Sequence, residues 1–334
     1  MIGPYPRMVR PAIFERSTAM YLRYSLIILL SWIPLLVLAQ GGKAFLKEGD
    51  DLRKQNQLEP ALERYDLAVK VDPKLMKAWQ AKAEINQLLG RTADCARDRR
   101  KMAELQPAEP AYATEAAKAY LEIDSPQVAM ALLDQALRVD PKYMDALLTK
   151  TRACLATGDV DTAVRTADAA LAQKATTDSY FIHALARTAS HDYKTAEFDL
   201  EKVLEWNHLY EPAYVALSEV QLKLYEQFSG GTMRMRTVEK AIEKCTRALE
   251  LNPASTDALF VRSKAFALQK EYSKAIDDVS RCIALERQDV AVYHQRALYY
   301  QGFGQHQNAV NDLNHALLQE PANPELLIIR AQCK

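Results

Sequence analysis

The chain has 334 residues, of which 49% are hydrophobic and 26% charged, and its formal net charge is zero. This composition is typical of a folded protein and excludes disorder of the whole chain. The sequence contains no basic run or stripe, so nucleic acid is not expected as a partner.

Residues 1–39 are the first segment and have the character of a signal peptide. An apolar run of 14 residues extends from Leu26 to Ala39, and Val37 and Ala39 are small residues at positions −3 and −1 of a cleavage site. The run is shorter than the ~20 residues that span a bilayer. We therefore predict export to the periplasm, the cell envelope or the medium. The alternative is an uncleaved signal anchor, which would be the only membrane contact.

After Gln40 the sequence repeats with a period of 34 residues. An alanine-sized residue is followed twelve residues later by a proline in five places: Ala61 and Pro73, Cys95 and Pro107, Ala129 and Pro141, Ala241 and Pro253, and Ala309 and Pro321. A period in this range indicates a solenoid, in which each repeat buries its apolar face against its neighbours.

Eight repeats follow from this spacing, each with two amphipathic helices. They cover residues 42–75, 76–109, 110–143, 144–176, 177–210, 211–255, 256–289 and 290–323. Gly90, Gly158 and Gly304 stand at position 15 of their repeats, where a helix must end in a conformation that glycine adopts cheaply. Adjacent carboxylates such as Asp277 and Asp278 are expected on solvated helix faces.

These residues resemble the tetratricopeptide repeat (TPR). The family pattern has a large residue at position 4, Leu at 7, Gly or Ala at 8, Tyr at 11, Gly at 15, Ala at 20, an aromatic residue or Leu at 24, Ala at 27 and Pro at 32. The eighth repeat matches it with Tyr293, Ala297, Tyr300, Gly304, Ala309, Leu313, Ala316 and Pro321. The resemblance implies an all-α fold, a right-handed α-α superhelical solenoid of about eight helical hairpins. It also implies a non-enzymatic scaffold that binds a segment of another protein in a concave groove.

In the TPR family the groove is lined by positions 2, 5, 9 and 12 of the first helices. In the first two repeats these positions are mostly polar (Lys43, Leu46, Asp50, Arg53, Lys77, Gln80, Glu84 and Gln87). From the fourth repeat onward they become apolar with interspersed charges: Leu148, Arg152, Leu155, Phe181, Leu185, Val215, Glu219, Leu222, Phe260, Lys264 and Leu298. We expect a partner segment to bind there. The alternative is that superhelical curvature buries these side chains against the next helix.

Two regions depart from the pattern. The sixth repeat has eleven extra residues, which predict two lengthened helices and a turn, with Phe228, Met233, Arg234 and Arg236 as a possible contact loop. The alternative is a tolerated surface insertion. Residues 324–334 correspond to the first helix of a ninth repeat, which would be a capping helix, a site of self-association or part of a truncated repeat.

The sequence offers no catalytic, cofactor or metal site. The six histidines form no HxxxH pair, and there is no CxxC motif and no phosphate-binding glycine loop. Four of the five cysteines fall at positions expected to be buried, namely Cys95, Cys154, Cys245 and Cys282. We therefore predict buried thiols, with a Cys245–Cys282 bridge as the alternative. The competing function is a regulatory or docking region of a larger enzyme or signalling protein.

Overall fold

A computed structural model describes residues 41–227 and 232–333, apart from the side chains of residues 232–234. These residues form seventeen α-helices and no strand, which confirms the predicted all-α class. The described residues divide into two compact units, one up to Asp140 and the other from Pro141 onward. The predicted signal segment, residues 1–39, lies outside the described residues.

The first compact unit contains six described helices. These are α1 (residues 41–54), α2 (Leu58–Val71), α3 (Met76–Leu88), α4 (Thr92–Leu105), α5 (Pro110–Glu122) and α6 (Pro126–Val139). From α2 to α6, successive helices pack against one another. The core between the first helices is built from alanines and a few large side chains, among which Tyr65 and Ile85 are fully buried.

The second compact unit contains eleven helices among its described residues. These are α7 (Met144–Thr157), α8 (Val160–Gln173), α9 (Thr177–Ala189), α10 (Tyr193–Trp206), α11 (Glu211–Gln227), α12 (Thr232–Leu251), α13 (Thr256–Leu268), α14 (Tyr272–Ala284), α15 (Val290–Gly302), α16 (His306–Gln319) and α17 (Pro324–Gln332). Helices α11 and α12 have 17 and 20 residues, against 13 or 14 in the other paired helices. The insertion in the sixth repeat therefore lengthens both helices.

Successive helices in this second unit pack as antiparallel hairpins, and first helices also touch one another. Contacts join α7 to α9, α9 to α11 and α11 to α13. The first helices α7, α9, α11 and α13 consequently form a continuous layer, and their side chains at the same repeat positions lie side by side.

A small buried side chain occupies position 20 of every repeat. The residues are Ala61, Cys95, Ala129, Ala163, Ala196, Ala241, Ala275 and Ala309, all of them exposed by 4% or less. This position lies in the second helix, where the helix axis passes close to its neighbour. A larger side chain there would force the helices apart.

The turn between the two helices of a repeat takes a left-handed backbone conformation at position 15. Gly90, Gly158 and Gly304 have φ of 70°, 75° and 81°, as their positions predict. Residues other than glycine adopt the same conformation in four further repeats: Asn56, Asp124, His191 and Lys270. The helices on either side thus set the turn geometry, even where a residue other than glycine is sterically strained in it.

A polar side chain that is buried or half-buried recurs at position 7 of several first helices. It bonds to an acidic side chain at position 23 of its own repeat and to a polar side chain at position 25 of the preceding repeat. The sets are Lys82 with Asp98 and Asp66, His183 with Asp199 and Asp168, Arg262 with Asp278 and Thr246, and Arg296 with Asp312 and Ser280. We refer to these four sets as the position-7 clusters.

The position-7 clusters correct one expectation from the sequence. Asp278 does not lie on a solvated face, because the residue is 4% exposed and its carboxylate accepts two hydrogen bonds from Arg262, whereas the neighbouring Asp277 is exposed. Two adjacent carboxylates on a helix point in directions about 100° apart, so one can enter the core while the other stays in water.

Cys95, Cys154, Cys245 and Cys282 are buried as predicted, and Cys333 is buried as well. Cys245 and Cys282 are free thiols, so the alternative bridge between them is not formed. In α17, Leu326 and Ile329 are buried against α16, whereas Leu327 and Ile328 are 38% and 58% exposed. None of the helices in the described ranges is both long and apolar enough to cross a membrane.

Candidate protein-binding groove

Four first helices of the second compact unit line an open cleft of about 620 Å³. The helices are α9, α11, α13 and α15, and Tyr272 at the start of α14 also lines the cleft. The lining side chains are Thr188, Glu219, Leu222, Lys223, Glu226, Val261, Lys264, Ala267, Leu268, Tyr272, Gln295, Leu298 and Tyr299. Because first helices lie side by side, their groove positions from successive repeats come together in one depression.

The floor of the cleft is apolar and well anchored. Leu222, Val261 and Tyr299 are 8%, 2% and 3% exposed and belong to the core shared by α11 to α15. Leu268 differs from them because it is 38% exposed while it lines the same cleft. A rigid apolar floor with an accessible leucine at its edge is suited to accept an apolar side chain from another molecule.

Opposite charges face each other across the cleft. Burial raises the pKa of Glu219, although the positive charge of Lys264 opposes this shift. Burial likewise lowers the pKa of Lys264, against the attraction of Glu219. Glu219 is open to water along the cleft but has protein walls around it, so it is only partly desolvated. Both charged groups are therefore less well solvated than charges on the surface. The polar groups of a ligand can supply the hydrogen bonds that water does not.

Phe260 lies beside the cleft, and two cations contact its ring. Lys264 Nζ is 4.4 Å from the centre of its ring and the Arg287 guanidinium carbon 4.7 Å from it. Arg287 is held by an ion pair of 2.7 Å with Asp257. The ring therefore fixes the stem of Lys264 through a cation–π contact and orients its ammonium group along the groove.

The structure brings together only part of the predicted groove set. Glu219, Leu222, Lys264 and Leu298 line the cleft. Val215 is 9% exposed and packs in the core instead, as the curvature alternative expected for such positions.

The remaining predicted residues lie outside the cleft lining. Leu148, Arg152 and Leu155 are on α7, with Arg152 exposed and both leucines half-buried. Leu185 is half-buried on α9, and Phe181 packs edge-to-face on Tyr210 at 5.1 Å between ring centres. These residues belong to the same layer of first helices but do not line the cleft.

The predicted contact loop is only partly within the described residues. Phe228 and the side chains of Met233 and Arg234 lie outside them, whereas Arg236 is an exposed residue of α12. The role of this loop in binding therefore stays a prediction.

Several cleft residues escaped the sequence analysis. Thr188 and Ala267 stand at position 12, which is one of the groove positions. Neither is a large apolar residue or a charged residue, so the sequence did not single them out. Leu268 and Tyr272 lie where α13 ends and α14 begins. The groove register applies to the first helix only and gives no signal for its end.

In the first compact unit the equivalent surface is polar and its side chains bind one another. Arg53 forms an ion pair of 2.6 Å with Glu84, and Gln80 donates to the same carboxylate at 3.1 Å. Arg99 donates to Gln87 at 2.8 Å. These hydrogen-bonding groups already have partners, so this surface offers less to a ligand than the apolar cleft does.

Among the described residues, no group of three or more His, Cys, Asp or Glu side chains is placed to hold a metal ion.

Comparison with known protein families gives matches to the tetratricopeptide repeat at residues 120–188, 233–285 and 290–323. Among curated proteins, human tetratricopeptide repeat protein 7A is 25% identical over 93 residues, which is 28% of this chain and 11% of that protein. The chain thus spans only a small part of this relative.

Solved structures with the same helical arrangement include a chain of the APC/C hetero-tetramer Cut9–Hcn1. It has a TM-score of 0.64 at 16% identity, and the match covers 86% of this chain and 55% of that one. A tetratricopeptide repeat protein from Parabacteroides merdae has a TM-score of 0.63 at 13% identity, covering 78% and 99%. Pseudomonas aeruginosa pilF has a TM-score of 0.53 at 16% identity, covering 67% and 97%. At these identities the likeness concerns the fold alone.

Proposed function

This chain is a tetratricopeptide-repeat protein, and from that premise we propose that it is a non-enzymatic scaffold that binds a segment of another protein in the cleft between α9 and α15. TPR arrays serve in general as protein-interaction surfaces. The proposal adds the place of binding and the absence of catalysis.

The observation that carries the proposal is the apolar cleft itself. Its floor is held by buried core side chains, while Leu268 remains 38% exposed at its edge. An accessible apolar side chain over a preformed cleft supports binding of an apolar anchor residue, because that contact removes both surfaces from water. Glu219 and Lys264 would then orient the polar backbone or a charged side chain of the same segment.

Leu268 is the sharpest position for a test. Replacement by Asp puts a charge at the edge of the apolar cleft, yet the residue is exposed enough for the fold to tolerate it. Phe181 and Phe260 are less suitable, because both pack against core clusters and their replacement would also disturb the fold.

The experiment selects binding peptides from a displayed random library on the wild-type protein and measures their affinity by fluorescence anisotropy. The matched control is Leu318→Asp, the same substitution at a 78% exposed leucine of α16 that does not line the cleft. We expect Leu268→Asp to weaken the selected peptides at least tenfold, about 1.4 kcal/mol, and Leu318→Asp to leave them unchanged. Equal affinities for the two variants would refute the assignment of the cleft.

We further propose that residues 1–39 direct the protein out of the cytoplasm, which would place its partner in the cell envelope or outside the cell. The support is the short apolar run that ends in Val37 and Ala39.

A further inference from the structure

The position-7 cluster of the fifth repeat has a histidine where its counterparts have lysine or arginine. His183 is 5% exposed in α9 and bonds to two carboxylates from different helices. Its Nδ1 lies 2.5 Å from Asp199 Oδ2 on α10, and its Nε2 lies 2.8 Å from Asp168 Oδ1 on α8. One imidazole therefore ties together three successive helices.

Both contacts require the imidazole to carry two protons. An ionised carboxylate can only accept a hydrogen bond, so each ring nitrogen must donate one. A neutral ring has one N–H and one lone pair, and it can satisfy only one of the two carboxylates. If the proton stays on Nδ1, the Asp199 bond survives and a lone pair at Nε2 faces Asp168.

Arg187 provides a partner for the neutral ring. Its Nε lies 3.2 Å from His183 Nε2 and can donate to that lone pair, while its Nη2 lies 2.6 Å from Asp168. The site thus has two self-consistent hydrogen-bond patterns. In the protonated pattern His183 joins α8, α9 and α10, and in the neutral pattern its bond to α8 is lost.

We propose that the stability of the α8–α9–α10 junction depends on pH. The junction is stable while His183 is an imidazolium ion, and it opens more readily when the ring loses its Nε2 proton. Around the ring, α8 contributes Asp168, α10 contributes Asp199, and α9 contributes Arg187, which also lies 3.9 Å from Asp192. Helices α7 and α11 also touch α9, but among the described residues neither brings an ionisable side chain within bonding distance of the ring.

The direction of the pH effect follows from the contacts. Burial lowers the pKa of His183, but the hydrogen bonds to Asp199 and Asp168 and the charge of Asp199 outweigh it, so the pKa lies above its ordinary value of 6.5. A group whose pKa is raised by folding stabilises the native state fully below the unfolded-state pKa. That stabilisation is lost as the pH rises through the native pKa.

The other clusters supply an internal control. Arg262 and Arg296 make the same type of contact with Asp278 and Asp312, but a guanidinium group keeps its charge at any physiological pH. The junctions α12–α14 and α14–α16 should therefore not respond in the range where α8–α10 does.

The test is backbone amide hydrogen exchange followed by mass spectrometry at about pH 6 and about pH 9, corrected for the intrinsic exchange rate. In the wild-type chain we expect peptides from α8–α10 to lose about tenfold in protection at the higher pH, the equivalent of one hydrogen bond to a charged group. Peptides from α12–α14 should keep their protection. His183→Arg should abolish the pH dependence, and His183→Gln should give the low protection at both pH values.

Equal pH dependence of α8–α10 in the wild-type chain and in His183→Arg would overturn the proposal, as would an equal loss in α12–α14. An NMR titration of the His183 ring needs no substitution. A pKa of His183 above 6.5 supports the proposal, and a pKa at or below 6.5 overturns it.

Discussion

Replacing Asp278 with Asn should be among the most damaging single changes in the second compact unit. The Asp278 side chain is 6% exposed and accepts from Arg262 Nε at 2.8 Å and from Nη2 at 2.7 Å, a bidentate pair. The amide of Asn has the same shape but only one acceptor oxygen, and its NH₂ group faces a guanidinium donor. Arg262 keeps a weak contact of 3.3 Å to Thr246. The substitution therefore leaves a half-buried cation without a counter-charge.

The expected loss follows from the burial of the two partners. Removing one member of a buried ion pair costs about 3–5 kcal/mol. Because the Arg262 side chain remains 16% exposed, water can reach part of the guanidinium group, and we expect about 3 kcal/mol, the lower end of that range. The reciprocal variant, Arg262→Leu, should cost a similar amount because it leaves the Asp278 carboxylate buried and unpaired.

The double variant Arg262→Leu/Asp278→Leu should recover most of this loss. Leucine is the residue that the TPR pattern places at position 7, and Leu217 holds that position in the sixth repeat, where it is 1% exposed. Apolar replacement of a whole buried pair is often neutral. We expect the double variant to lie within about 1 kcal/mol of the wild type, so the two single effects are strongly non-additive.

The assay is chemical denaturation monitored by circular dichroism, combined with hydrogen exchange of α13 and α14. Exchange is needed because unfolding of a repeat array is not always a single transition, and a local loss can escape a global signal. A loss below about 1 kcal/mol for Asp278→Asn would show that the pair behaves as a surface ion pair. A double variant that loses the sum of both single effects would refute the coupling.

Other predictions concern the turns, the helix contacts, the thiols and the N-terminus. Lys270→Gly should stabilise the protein by about 1 kcal/mol in thermal unfolding, because Lys270 has φ of 61°. Gly49→Ala should destabilise it by about 1–3 kcal/mol despite the helix preference of alanine, since the new Cβ would lie 2.5 Å from a ring carbon of the fully buried Tyr65. Burial raises the pKa of Cys245 to about 12, so iodoacetamide should label it only after unfolding, as mass spectrometry would show. Mass spectrometry of the protein from its host should find the mature N-terminus at Gln40 if the signal is cleaved.

The repeat spacing predicted the helices well because it encodes how they pack. Ala241 and Ala309 are fully buried where the sequence required small side chains, and Gly304 has the left-handed turn conformation expected at position 15. The sequence did not predict the same conformation at His191 and Lys270. Residues with a Cβ atom disfavour a positive φ, so the conformation at these two positions is imposed by the packing of the two helices.

The candidate site was predicted less completely than the fold. The register of the first helices identified Glu219, Lys264 and Leu298, since a fixed position in each repeat points in a fixed direction. It placed Val215 at the surface, although the neighbouring helices bury it. It also gave no indication of Tyr272, because this residue belongs to the second helix and reaches the cleft around the end of the first.

The position-7 clusters lie on a different face of their helices from the proposed binding groove. In α13, Arg262 points to α14 and bonds Asp278, whereas Phe260 and Lys264 lie at the groove two residues to either side. Side chains two positions apart on a helix project about 200° apart, so they do not share neighbours. Substitutions in the proposed groove can therefore leave the contacts that hold the hairpin unchanged. The same separation in α9 puts His183 against α8 and α10, while Phe181 and Leu185 are half-buried and pack against the core cluster of α9 to α11.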